Sequence, residues 1–65
     1  MEMNDFIKEE RQRQGLTRVA LAEKAGVSHL TIAQLEHGRR RGMYDCVESI
    51  VNALGYDLVA RKRAD

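Results

Sequence analysis

The stretch from Thr17 to His37, TRVALAEKAGVSHLTIAQLEH, constrains the fold more than any other part of the chain. Two short helical patterns meet in it at Ala25-Gly26-Val27. In the first, Leu21, Ala22 and Ala25 recur at spacings of three and four, so they share one helix face. Thr17 suits the start of that helix, because its hydroxyl can accept from a backbone N–H that the first turn leaves unpaired. Gly26 has no Cβ and can take positive φ, which turns the chain tightly. Ser28 suits the cap of the second helix, in which Ile32 and Leu35 point inward together; Gly38 can end it.

At 65 residues the chain makes one domain at most. Such a domain buries a small share of its surface, so its core is marginal and needs help. One cysteine excludes an internal disulfide, and no Cys/His cluster has metal-ligand spacing. No cofactor or metal is expected, and a partner subunit is the expected help. The sequence has no apolar run long enough for a membrane span and no signal-peptide pattern, which makes a cytoplasmic location the expectation.

Net charge is only +1, so any electrostatic footprint must come from local clusters. Residues 1–35 are balanced, with five basic and five acidic side chains. His37 to Tyr44 holds three arginines, Arg39, Arg40 and Arg41, and no acid. A second basic run, Arg61-Lys62-Arg63, lies close to the last residue.

Before the central stretch, Asn4 or Asp5 can cap a first helix through about Gln14, with Phe6 and Ile7 as its apolar contacts. After the basic linker, a final helix is expected from about Tyr44 to Ala53, with Val47, Ile50, Val51 and Leu54 on one face. Cys46 at the edge of that face reads as a small buried hydrophobe. Tyr56 to Arg61 alternates imperfectly and carries β-branched and aromatic residues, which favours a strand. Tyr56, Leu58 and Ala60 would face one way and Val59 the other. A lone strand has no partner inside a four-helix domain. It either pairs with the same strand of a second copy or stays a frayed tail.

These features together make a helix-turn-helix. The segment from Arg11 to Gly38 closely resembles the phage repressor and Cro-like family, the lambda-repressor-like or XRE group. The resemblance is carried by Arg11, Gly15-Leu16-Thr17, Leu21-Ala22, Ala25-Gly26-Val27-Ser28, Ile32 and Leu35-Glu36-His37-Gly38, with Ala53-Leu54-Gly55 resembling the family's last core-helix ending. It implies a mainly α bundle of four short helices. It further implies an ion pair between Arg11 and Glu36, and helical phase agrees, because Glu36 lies closer to the Ile32-Leu35 face than to the opposite one. The C-terminal strand resembles the HipB-like antitoxin-regulator branch. The domain layout expected is therefore 1–55 for the helix-turn-helix domain, 56–62 for a dimerisation strand and 63–65 for a tail.

The resemblance implies duplex DNA as the partner, with base contacts at the positions of Ser28, His29, Leu30 and Gln34. Helical phase alone turns Leu30, Ala33, Gln34 and His37 outward. Gln34 can pair bidentately with adenine, and Leu30 can cover a thymine methyl. Phosphate contacts are expected from Thr17, Arg18, His37, Arg39, Arg40 and Arg41. The expected function is a dimeric transcriptional repressor of an inverted repeat. One alternative is an antitoxin that also represses its own operon, with a toxin protein as a second partner. Another is a protein-binding helical module without DNA. An enzyme is disfavoured, since neither His29 nor His37 has a carboxylate-plus-nucleophile arrangement near it in sequence.

Overall fold

Four short segments with apolar stripes become four helices in the computed structural model, which describes residues 2–38, 44–59 and 61–63. They are α1 (Met3–Arg13), α2 (Arg18–Ala25), α3 (His29–Glu36) and α4 (Tyr44–Ala53). Helix α2 packs on both α3 and α4, while α1 packs on α3. Ile7, Leu21, Ile32, Leu35 and Ile50 are fully buried where these helices meet. Each such side chain contributes roughly 1.5–3 kcal/mol by leaving water. Phe6, Leu16, Ala25, Val27 and Ala53 pack around this centre.

Local chemistry sets the helix ends. The Thr17 hydroxyl accepts from the Ala20 N–H at 3.0 Å, and the Ser28 hydroxyl from the Leu30 N–H at 3.1 Å. Between α2 and α3, Gly26 sits at φ 72°, which lets the Val27 N–H close back on the Ala22 carbonyl at 3.0 Å. Helix α1 departs from expectation at its start. Its N-cap is Glu2, with no side-chain cap hydrogen bond, and neither Asn4 nor Asp5 caps it. Asn4 instead lies inside the helix with its amide turned against Gly38, 3.5 Å from where a Cβ would be. Asp5 helps electrostatically, as an acid in the first turn.

A buried charged pair ties α1 to α3. Arg11 donates from Nε to Glu36 Oε2 at 2.6 Å and from Nη2 to Oε1 at 2.9 Å, while Nη1 donates to the Leu16 carbonyl at 2.9 Å. One guanidinium thus binds the end of α3 and the turn that follows α1. The Glu36 side chain is 1% exposed and that of Arg11 is 11%. Burial pushes the Glu36 pKa up, but hydrogen bonds from Arg11 and Arg18 outweigh it and hold the carboxyl below its ordinary 4.5.

The expected C-terminal strand is not found: among the described residues, Tyr56 to Val59 form neither helix nor strand. The reason is physical, because a strand needs a ladder partner and the four helices offer none. Tyr56 instead folds back. Its N–H donates to the Val51 carbonyl at 3.1 Å, beyond a left-handed Gly55. Its ring meets Phe6 edge-on at 5.0 Å, and its hydroxyl donates to Glu10 at 2.9 Å. Arg13 and Tyr56 together hold Glu10 at about 2. Gln14 adds a second tie, donating to the Leu54 carbonyl at 2.8 Å. Leu58 is half-buried, Val59 is 75% exposed, and Ala60 lies outside the described residues.

Arg11→Ala should lower the unfolding free energy by about 3 kcal/mol, the low end for breaking a buried pair, because Arg18 still neutralises Glu36. Urea unfolding reads this directly, and a loss under about 1 kcal/mol would contradict the pair's structural role. The depressed Glu36 pKa also sets a pH dependence. Its contribution is complete above pH 4.5 and is lost as pH falls below that, through the folded value. NMR titration of the Glu36 carboxyl should give a midpoint below 4.5, with the melting temperature declining over the same range.

Candidate nucleic-acid interface

Helix α3 has one face locked and one face free. Ile32 and Leu35 are 0% and 1% exposed, and Glu36 is tied to Arg11. At the other end, Ser28, His29 and Leu30 are exposed, Leu30 by 57%. An outward leucine at the first turn gains little as a structural residue, since none of the described residues covers it. Ala33 and Gln34 are half-buried, so they lie on the flank of the free face and not at its crest. The face is therefore widest at the N-terminal end of α3.

The other expected contacts fall into three groups. Thr17 is exposed beside α2, with its hydroxyl oxygen already accepting from Ala20. His37 is exposed and forms the C-cap of α3, roughly 12 Å along the helix from His29 at 1.5 Å per residue. Arg39, Arg40 and Arg41 lie outside the described residues. Neither α2 nor α3 has an acid of its own in its first turn. Backbone N–H groups at such ends suit anions.

Arg18 is where the structure adds a contact that sequence reasoning missed. Its Nε donates to Glu36 Oε1 at 3.1 Å, with the side chain 38% exposed. The charge at the start of α2 is thus partly answered from within the chain. A signal for this existed in the sequence: Arg18 sits at the positive end of one helix and Glu36 at the negative end of the next. Each is unfavourable alone, and each relieves the other. The cluster Arg11–Glu36–Arg18 consequently joins α1, α2 and α3 at the C-terminal end of α3.

Among the described residues, no group of three or more His, Cys, Asp or Glu side chains could hold a metal ion. No described helix is long and apolar enough to cross a membrane. What the described residues offer is a helix face with exposed polar and apolar side chains and the partly exposed Arg18 at its C-terminal end, a chemistry that fits base edges and phosphates.

Comparison with known proteins agrees with this geometry. Residues 2–64 match the helix-turn-helix domain family. An uncharacterized HTH-type transcriptional regulator of Methanothermobacter thermautotrophicus is 42% identical over 53 residues, which cover 82% of this chain and 77% of that protein. No solved structure matches. With nearly its whole length matched and the turn between α2 and α3 built as the motif requires, the chain belongs to the helix-turn-helix family.

Proposed function

We propose that this protein is a transcriptional regulator that binds duplex DNA in a sequence-specific way, as a phage repressor and Cro-like member of its family. The observation that carries the reading is the division of α3 into a locked inner face and a free N-terminal end bearing His29 and uncovered Leu30. A helix of this kind fits the major groove, where such side chains meet base edges. The relative that shares 42% identity is itself described as a transcriptional regulator.

In this reading Ser28, His29, Leu30, Ala33 and Gln34 meet bases. Thr17, Arg18, His37, Arg39, Arg40 and Arg41 hold phosphates. Two copies would bind together, setting two α3 helices about one DNA turn apart, roughly 34–36 Å, on an inverted repeat. Repression follows where the repeat overlaps a promoter. The antitoxin alternative draws its support from the C-terminal strand, and no feature of the described residues adds to it.

Selection of bound duplexes from a random pool should enrich an inverted repeat with half-site centres about one turn apart. Gln34→Ala should cost about 1–3 kcal/mol on the enriched site and relax the preference at one position. An equal loss on every duplex would overturn the assignment of Gln34 to base reading. Arg39→Ala should weaken binding uniformly and lower the salt slope by about 1. A loss confined to one sequence would remove Arg39 from the phosphate contacts.

A further inference from the structure

The charges around Glu36 do not cancel. Arg11 and Arg18 share one carboxylate, so the cluster keeps a surplus positive charge. Arg11 has all three guanidinium nitrogens engaged inside the fold, on Glu36 and on the Leu16 carbonyl. Arg18 engages only Nε among the described residues. Its side chain is 38% exposed, against 11% for Arg11 and 1% for Glu36. The surplus charge therefore rests on the terminal nitrogens of Arg18, at the first residue of α2. A guanidinium is planar, so holding Nε narrows the directions in which the remaining N–H groups can point.

We propose that Glu36 is a positioning residue for DNA binding: its carboxylate grips Arg18 through Nε and presets the terminal N–H groups for a phosphate beside α3. The proposal rests on the duplex-DNA reading above and adds a physical link to it. The carboxylate that ties α1 to α3 also aims a phosphate contact from α2, so the bundle and the DNA surface share one group. Binding then leaves the Arg18–Glu36 hydrogen bond in place, because Nε and the terminal nitrogens serve different acceptors. A phosphate gripped by a preset guanidinium accepts two parallel hydrogen bonds, which a flexible ammonium does not provide.

The test uses the full chain and a labelled duplex of mixed sequence, with binding followed by fluorescence anisotropy across a salt series. Glu36→Gln can unfold the domain by leaving two arginines unpaired, so the informative variants are Arg18→Gln and Arg18→Lys, which keep Arg11 on Glu36. Circular dichroism melts of each variant establish that it is folded at the temperature of the assay. Arg18→Gln should bind more weakly, with a salt slope smaller by about 0.9, the value for one lost phosphate contact. Arg18→Lys should keep the wild-type slope yet bind severalfold more weakly, because its single nitrogen cannot hold Glu36 and offer a planar fork. An unchanged slope for Arg18→Gln would overturn the phosphate contact. Wild-type affinity for Arg18→Lys would overturn the positioning by Glu36. Failure of the wild type itself to bind any duplex would instead overturn the DNA reading, and this inference with it.

Discussion

A single carboxylate, buried between two guanidinium groups, fixes how the helices of this domain meet. Glu36 closes α3, takes two hydrogen bonds from Arg11 on α1 and one from Arg18 on α2. Removing a charged group from water is costly, and the cost is offset only where partners satisfy it with good geometry. That requirement makes the cluster intolerant of alternative packings. If α3 slid or rotated, Glu36 would be left in an apolar setting without donors. Apolar contacts are less selective, because one aliphatic side chain can replace another at a modest cost. The ion cluster supplies registry, and the apolar residues supply most of the cohesion.

That cohesion comes from few side chains. Five of them are fully buried, drawn from all four helices, so none of the helices can be removed without opening the centre. Helices of eight residues do not persist alone in water. Each is held by caps at its ends and by neighbours on its flank. The Thr17 hydroxyl holds the start of α2, and the left-handed turn at Gly26 with the Ser28 hydroxyl shapes the passage from α2 into α3.

Much of this was legible in the sequence, since the relevant physics is local. Thr17, Gly26 and Ser28 act on residues one to three positions away, and the apolar spacing of Leu21, Ala22, Ile32 and Leu35 survives tertiary packing unchanged. Helix α4 begins and ends at the expected residues for the same reason. The misses arise where a side chain acts at a distance. Asn4 has good capping chemistry, yet its position against Gly38 turns it inward. Tyr56 has strand chemistry, yet Phe6 and Glu10, distant in sequence, capture it. Arg18 had a clear local signal of electrostatic discomfort, but the identity of its partner depended on how α2 and α3 cross. Ala33 and Gln34 are half-buried where an ideal helical wheel turns them outward.

The Tyr56 clasp has a consequence for whatever follows it. A chain leaving a helix through a glycine ordinarily swings about that residue, and a swinging arm explores many orientations. Here the ring and hydroxyl of Tyr56 bolt the first residue after Gly55 onto α1, so the pivot moves outward to Asp57. The arm that begins there starts from a fixed post on α1, and its reach is measured from that post and not from the end of α4. Anything it carries therefore swings on a shorter radius and stays nearer to α1.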